Sequence, residues 1–295
     1  MDLKELDKIK RLAIIAMFSD DEFLEQLVLK GGNAMDIVYR MEGRASTDLD
    51  FSMSKEFREK DLKFIDDKIK NVLEDIFYSE GYKVFDIKFV QRPKHRKVSS
   101  KINNFWGGYR IEFKVITKEK YDTFNGNLDD LRKQSIEFTE VQNRKFYIDI
   151  SKFEYTKPKV EKELDAYTIY VYTPEMIAFE KLRAICQQTK EYGKIVNSKS
   201  QSARARDFYD IYLVIEKFNV DVSSNENKML LKTIFKAKHV PLELIKKIRD
   251  YKEYHRPDFQ AVKETVKYGT ELKEYDYYFD YVLDKFSQLE FLGEI

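Results

Sequence analysis

The chain has 295 residues, enough for one large domain or two modest ones, each with a hydrophobic core. Hydrophobic residues make up 43% of it, which excludes a disordered chain. Its 53 basic and 52 acidic residues nearly cancel, so overall charge indicates neither a nucleic-acid binder nor an enzyme for acidic substrates. The single cysteine, Cys186, excludes an intramolecular disulfide and is typical of a reducing compartment.

The N-terminal segment predicts an amphipathic helix over about residues 2–27. Its apolar run "LAIIAMF" is too short to cross a bilayer, and no small-residue cleavage site follows it. We therefore expect a cytoplasmic protein that does not associate with a membrane.

A pair of glycines ends the first predicted strand. "LVLK" is typical of a short buried strand, Gly31 and Gly32 break it, and "NAMDIVYRME" predicts a helix with Asn33 as its N-cap. Backbone amides can approach a phosphate closely at such a place, because glycine has no Cβ and the helix N-terminus adds positive potential. A simple tight turn gives the same pattern, so the glycines alone do not decide between the two.

The next strand carries two acids on one face. In "GRASTDLDFSMS", residues 43–54, Asp48 and Asp50 point one way while Leu49 and Phe51 point the other. Two carboxylates suit Mg²⁺, which would bridge the phosphates of a nucleoside triphosphate. An ordinary half-exposed strand shows the same alternation. A P-loop is disfavoured because G-x-x-x-x-G-K-[ST] is missing, and an EF-hand because the sixth loop position is not glycine.

The rest of the chain changes from strands to helices. A helical stripe of apolar residues predicts a helix over 59–81 that ends at Gly81. Period-two alternation predicts strands at 82–90, 109–117 and 145–153. Helical patterns begin at "TPEMIAFEKLRAICQQ" and continue to the end. We predict an α+β fold with a mixed sheet flanked by helices in residues 1–165 and a mainly helical half in 166–295.

Two separated blocks resemble one protein family. "LKGGNAMDIVYRMEGRASTDLDFSM" is similar to the core motif of the nucleotidyltransferase superfamily, and more narrowly to the K-G-G-[ST]-A-L and R-x-S-x-D-L-D-F patterns of the AbiEii/AbiGii toxin family. "TPEMIAFEKLRAI" and "ARARDFYDIYLV" resemble that family's E-K-L-x-A-L and R-D-x-Y-D-[LI] segments. The resemblance covers roughly residues 28–54 and 145–216. It implies a nucleotidyltransferase-like sheet and a helical half that contributes a lysine and an aspartate to the active-site cleft.

The resemblance also implies a metal site. Asp48 and Asp50 would bind Mg²⁺ or Mn²⁺ together with a third strand acid. That acid is Asp149 in "YIDIS" or Glu112 in "RIEFK". We favour Asp149, because a neighbouring sheet strand must bring the acid beside the pair.

Further residues are implied to contact the nucleotide or to act in catalysis. Lys181 would contact the phosphates, and Asp207 would be the catalytic acid of the last block. The long insert before that block leaves the roles of Asp207 and Asp210 open. Asn33 stands where the family usually has Ser or Thr, which removes a hydroxyl from the site. The implied nucleotide-binding residues are Gly31, Gly32, Asn33, Ser46, Lys181 and Asp210.

The acceptor and the partners are the least determined part. The family resemblance implies a toxin of a bacterial toxin–antitoxin or phage-defence pair that transfers a nucleotide from a nucleoside triphosphate, with RNA, and tRNA first, as the expected acceptor. The basic run "QRPKHRKVSSK" and the pair Arg204 and Arg206 would suit an RNA backbone, although a solvated loop has the same composition. A separately encoded antitoxin is expected, without a requirement for a stable complex. The alternatives are a non-catalytic nucleotide- or RNA-binding module and an antibiotic-type nucleotidyltransferase for small molecules.

Overall fold

The computed structural model describes residues 3–41, 48–93, 104–138, 143–196, 201–266, 269–287 and 289. Within these ranges the strands are Val28–Lys30 (β1), Leu49–Ser52 (β2), Tyr82–Arg92 (β3), Gly108–Thr117 (β4), Phe146–Ser151 (β5), Val160–Leu164 (β6) and Tyr167–Val171 (β7). The α-helices are Leu3–Phe18 (α1), Asp21–Gln26 (α2), Gly31–Asn33 (α3), Leu62–Ser79 (α4), Lys118–Thr123 (α5), Leu128–Gln134 (α6), Pro174–Cys186 (α7), Lys190–Gly193 (α8), Ala205–Phe218 (α9), Asn225–Ala237 (α10), Leu244–Lys247 (α11), Lys252–His255 (α12), Phe259–Thr265 (α13) and Tyr275–Ser287 (α14). Short 3₁₀ turns cover Glu59–Asp61, Ile248–Tyr251 and Arg256–Asp258, and Ala34–Val38 form a π-helical turn.

The strands of the described residues form one mixed sheet in the order β3-β4-β5-β2-β1-β7-β6. β2 runs parallel to β5, and β1 runs parallel to β7. The other neighbouring pairs are antiparallel. With helices flanking this sheet and following it along the chain, the predicted α+β class is confirmed.

One face of the sheet is apolar because polar and apolar side chains alternate along its strands. Phe51 of β2 packs against Phe18 of α1, and Phe113 of β4 packs against Phe77 of α4, each with ring centroids 5.7 Å apart. The stripe predicted for α4 is buried on this side, as Ile65, Ile69, Leu73 and Phe77. The opposite face of the central strands therefore holds their polar side chains.

The second half of the chain is a cluster of helices around α7 and α9. α7 packs against α9 and α10, and α9 packs against α14. Thr173 caps α7 through its side chain, and Pro174 occupies the first turn, where no backbone donor is needed. Every helix in the described ranges is too short or too polar to traverse a lipid bilayer. The boundary expected near residue 165 coincides with the turn between β6 and β7, and the division into two domains stays a prediction.

Two local predictions are wrong, and one hairpin was missed. The first helix is interrupted, because the side chain of Asp20 accepts hydrogen bonds from the first amides of α2 and starts a new helix there. The hairpin of β6 and β7 was not predicted, because "VEKEL" is an edge strand dominated by charged residues. Asn33 makes no cap hydrogen bond, since the helix already begins at Gly31 and widens into the π-helical turn after Asn33.

Candidate functional site

Four charged side chains lie in a row across the polar face of the sheet. Residue pairing places Arg110 of β4 opposite Asp149 of β5, Asp149 beside Asp50 of β2, and Asp50 opposite Lys30 of β1. Directly paired residues point to the same face of a sheet, so the row reads cation, anion, anion, cation. The structure thus brings two of the three predicted metal ligands together on neighbouring strands.

Asp149, and not Glu112, lies beside Asp50. Arg110 holds Asp149 through two hydrogen bonds, of 2.7 Å from Nε and 2.6 Å from Nη2. Glu112 pairs with Lys145 at 2.9 Å, two residues further along β4 than Arg110. The geometry therefore agrees with the preference for Asp149, and its role as the third ligand stays a prediction.

The surroundings of the two acids of the D-x-D segment disfavour their ionised forms. Burial and the nearby carboxylate of Asp149 raise the pKa of Asp48, while Arg110 lowers it. Burial raises the pKa of Asp50 to about 6, with Asp149 adding to the effect and Lys30 opposing it. A third acid this close makes the ionised pair costly, and a bound cation would remove that cost.

Lys30 connects the sheet to α7. Its Nζ donates to Glu180 at 2.6 Å and to the hydroxyl of Ser151 at 3.1 Å. Burial alone would lower the pKa of Lys30, but Glu180, Glu154 and Asp50 raise it above its ordinary value. Lys30 is therefore a fixed positive charge next to Asp50.

The glycine turn packs directly on Asp50. Gly31 has φ of +69°, and a Cβ built on it would lie 3.0 Å from Oδ2 of Asp50. Asn33 is fully buried, and its Nδ2 donates to the carbonyl oxygen of Asp48 at 2.6 Å. Asn33 thus holds the start of β2 in place, whereas Gly31 and Gly32 face open space. Ser46, implied to lie along the triphosphate, is outside the described residues.

Replacing Gly31 with Ala is expected to cost more than replacing Gly81, which shares its backbone conformation. Both residues have positive φ, so each change costs about 1 kcal/mol of strain. Only at Gly31 does the new methyl group press on Asp50, since nothing lies within 4 Å of a Cβ at Gly81. Urea unfolding and nucleotide-transfer assays should show Gly31→Ala less stable than Gly81→Ala and deficient in transfer. Equal effects of the two substitutions would contradict the contact with Asp50.

Lys181 lies between the two acids of α9. Its Nζ donates to Asp207 at 3.1 Å and to Asp210 at 2.7 Å, and all three side chains are buried. Arg204 donates to the other oxygen of Asp207 at 2.7 Å. Burial alone would raise the pKa of Asp207, but Lys181 and Arg204 lower it well below its usual range. Lys181 also lowers the pKa of Asp50, which places its charge near the acids of the sheet.

Lys30, Asp50 and Lys181 line a cleft of about 810 Å³, whereas Asp48 and Asp149 are not among its lining residues. Its floor is one face of α7, where Ile177, Lys181, Ala184 and Gln187 follow helical spacing. One wall is the polar face of the sheet, and the other is the start of α9 with the turn before α13. The residues that line it are Lys30, Gly31, Gly32, Asp50, Trp106, Gly107, Ser151, Glu154, Ile177, Glu180, Lys181, Arg183, Ala184, Gln187, Tyr192, Ser202, Ala203, Arg204, Arg206, Asp207, Lys238, Pro257 and Asp258.

Comparison with known protein families agrees with this geometry. The profile of the nucleotidyl transferase AbiEii toxin of type IV toxin–antitoxin (TA) systems matches residues 13–285. The chain belongs to the AbiEii toxin family. Membership makes it a nucleotidyltransferase toxin of the type IV class, and the predicted resemblance is confirmed.

Solved structures similar to this AbiEii family member come from a bacterium and a fungus. A candidate nucleotidyltransferase from H. pylori is 17% identical, with 97% of each chain covered and a TM-score of 0.48. JHP933 from Helicobacter pylori is 16% identical over 97% of this chain and 93% of that one, with a TM-score of 0.45. An antigenic nucleotidyltransferase-like protein from Paracoccidioides brasiliensis is 13% identical over 89% and 94%, with a TM-score of 0.35. None of the curated proteins matches the sequence.

Nucleotidyltransferases generally use a divalent metal, and the acids of this AbiEii chain fit one by their chemistry. Asp48, Asp50 and Asp149 offer carboxylate oxygens, which Mg²⁺ and Mn²⁺ prefer, and the pKa values of Asp48 and Asp50 are raised by burial and by the nearby Asp149. Across the described ranges, no three acidic, histidine or cysteine side chains are already arranged as a metal site. Asp149 is instead paired with Arg110.

Several charged residues of the site were not predicted from the sequence. Arg183 donates to Glu154 at 2.7 and 3.1 Å, and Lys238 lies 3.3 Å from the same carboxylate. Burial alone would raise the pKa of Glu154, but these cations lower it to about 2. Lys30 is the first residue of the K-G-G motif and Glu180 the first of E-K-L, which was the one available signal. Of the predicted basic run, residues 94–101 lie outside the described part of the chain.

Proposed function

We propose that this toxin transfers a nucleotide from a nucleoside triphosphate to an RNA acceptor, tRNA first, with the help of Mg²⁺ or Mn²⁺. The observation that carries the proposal is the pairing of Asp50 with Asp149 on adjacent parallel strands beside the Gly31 turn, where Asp50 lines a cleft that also contains Lys181. An ordinary amphipathic strand does not require two neighbouring acids or a glycine packed on one of them.

Different residues of the site would bind the metal ion and the phosphates. Asp48, Asp50 and Asp149 would hold the ion, which when bound neutralises charge on the phosphates. The backbone amides at Gly31 and Gly32 would approach phosphate oxygens. The ammonium group of Lys181 would donate a hydrogen bond to the phosphates, while its hydrogen bonds to Asp207 and Asp210 keep it in position.

The proposed transfer forms one phosphorus–oxygen bond and breaks another. A hydroxyl oxygen of the acceptor attacks the α-phosphorus, and pyrophosphate leaves with the electrons of the broken bond. The proton of the hydroxyl passes to a base beside the acceptor, and Asp149 is the acid whose position suits this task. Arg110 would orient Asp149 for it through the two hydrogen bonds.

The choice of RNA rests on charge along one wall of the cleft. Arg204 and Arg206 both line it, and each is paired with an acid, Asp207 and Asp258 respectively. Two arginines at the open side suit the phosphates of a polynucleotide end. Family membership supports a separately encoded antitoxin as the partner that controls this activity.

Incubation of the purified protein with α-labelled triphosphates, Mg²⁺ and total RNA tests the proposal. We expect label on RNA with the wild type and with Asp75→Ala, whose residue is exposed on α4, and no label with Asp48→Ala. Chelation by EDTA should stop the transfer, and added Mg²⁺ should restore it. The absence of label on RNA, protein and small molecules with the wild type would contradict the enzymatic function. Label on a small molecule alone would replace the RNA acceptor with an antibiotic-type one.

A further inference from the structure

The cleft extends beyond the residues assigned to metal and phosphates. Lys181 and Gln187 both line the cleft, and Gln187 is six residues further on, about 9 Å along the axis of α7. The far end of the cleft therefore has room for another part of the substrate.

This far end is fixed by its own hydrogen bonds. The hydroxyl of Tyr192 accepts from Nε2 of Gln187 at 3.1 Å and donates to the carbonyl oxygen of Lys238 at 2.8 Å. Nζ of Lys238 is held by Glu154 and by the carbonyl oxygen of Lys152. These contacts place an amide, a phenol and an ammonium group around one end of the cleft before any ligand binds.

Trp106 also lines the cleft, and its neighbours in the chain are held in place by contacts of their own. Phe105 stacks on His239, with ring centroids 3.9 Å apart and an angle of 12° between the rings. Gly107 accepts a hydrogen bond from the amide of Lys152 at 3.1 Å and has φ of +121°. The residues on both sides of Trp106 are thus held by Lys152, which follows β5, and by His239, which follows α10.

We propose that the far end of the cleft, formed by Trp106, Gln187, Tyr192 and Lys238, binds the base of the nucleoside triphosphate. The inference rests on the proposed function, because it takes the phosphates to lie at Gly31, Gly32 and Lys181. An aromatic ring beside hydrogen-bonding groups is the usual means of base recognition in single nucleotides and single strands.

The hydrogen-bonding groups of this end also select among bases. Lysine only donates hydrogen bonds, and Nζ of Lys238 uses two of its three hydrogens on Glu154 and Lys152. The remaining hydrogen suits a carbonyl oxygen of the base. Uracil, cytosine and guanine carry a carbonyl oxygen, whereas adenine has none and offers only ring nitrogens as acceptors beside its amino group. ATP is therefore the triphosphate that this end binds least well.

Fluorescence of Trp106 tests the inference directly, because it is the single tryptophan of the chain. Non-hydrolysable analogues of the four triphosphates, with methylene between the α- and β-phosphorus, would be titrated into the wild type with Mg²⁺. We expect a change in emission on binding, with a dissociation constant for the ATP analogue about tenfold higher than for the best of the others. Lys238→Met should remove this difference, whereas Lys236→Met, an exposed lysine of α10, should keep it.

Calorimetric titration of the Trp106 variants measures how much stacking of the base on the indole contributes to binding. Trp106→Ala is expected to weaken binding of every analogue by about tenfold, and Trp106→Phe to retain most of the affinity. Binding of the analogues without any change in emission, or with unchanged affinity in Trp106→Ala, would overturn this inference and leave the proposed function standing. Equal affinity for all four bases in the wild type would overturn the selection by Lys238. Failure of all four analogues to bind would overturn the inference together with the proposed function.

Discussion

Asp50→Asn is expected to lower the rate of nucleotide transfer by about 10³-fold. The amide keeps the shape of the side chain but no longer offers the negative charge that a divalent cation requires. Asp50 lies between Asp149 and Lys30 in the charged row, so no other described acid can take its place without leaving its own strand. Initial rates of label transfer, measured at saturating triphosphate, give the comparison.

The same substitution is expected to stabilise the metal-free protein above neutral pH. Because the pKa of Asp50 is raised from 3.8 to about 6, the unfolded chain loses this proton at lower pH than the folded protein does. Stability is therefore lost as the pH rises from about 4 to about 6, by about 3 kcal/mol. Asn has no proton to lose and avoids this loss. Urea unfolding in EDTA should show the two proteins equally stable at pH 4 and Asp50→Asn more stable at pH 8.

A matched control distinguishes this effect from a general change of charge. Asp75→Asn, at an exposed position of α4, should alter neither the transfer rate nor the pH dependence of unfolding. Transfer by Asp50→Asn within tenfold of the wild type would remove Asp50 from the catalytic site.

Lys181→Met is expected to abolish transfer and also to destabilise the protein by about 3–5 kcal/mol. The substitution removes the cation that the buried carboxylates of Asp207 and Asp210 both accept from, while Arg204 still donates to Asp207. Thermal or urea unfolding at pH 7.5 measures the loss. This distinguishes Lys181 from Asp50, whose replacement removes activity without loss of stability.

A double-mutant cycle with Asp210→Asn tests the origin of this destabilisation. Asn at position 210 carries no charge, so the double variant should recover part of the stability lost in Lys181→Met, and the two changes should be non-additive by about 1–3 kcal/mol. Activity should not return, because the lysine itself is missing. Strictly additive effects on unfolding would show that Lys181 does not act through Asp210.

The alternation of polar and apolar residues made the central strands predictable. Together with the pair Gly31 and Gly32, it also made the first half of the site predictable. Asp48 and Asp50 share a face because a strand has a period of two, and the same rule picks Asp149 from "YIDIS". The choice between Asp149 and Glu112 needed the order of the strands, which alternation does not contain. Each residue of β4 alternates correctly, yet only the register places Arg110, and not Glu112, opposite Asp149.

The buried ion pairs were not predictable, because their partners are distant in the sequence. Lys30 and Glu180 are 150 residues apart, and each stands in a segment where a solvated position is the ordinary expectation for a charged residue. The hairpin of β6 and β7 was not predicted, for a related reason. Its outer strand "VEKEL" has charges on both faces, because an edge strand covered on one side needs few apolar residues.

α7 contributes residues both to the cleft and to the core. This restricts where members of the family can gain or lose residues. Glu180, Lys181, Arg183 and Gln187 line the cleft from about half of the circumference of the helix, while the rest of its surface is core. Insertion or deletion of one residue within this stretch would turn everything after it by about 100°. Lys181 and Gln187 would then no longer both line the cleft. Natural length variation should therefore be absent between Glu180 and Gln187 and should collect in the connection between α8 and α9, where the long insert of this chain already lies.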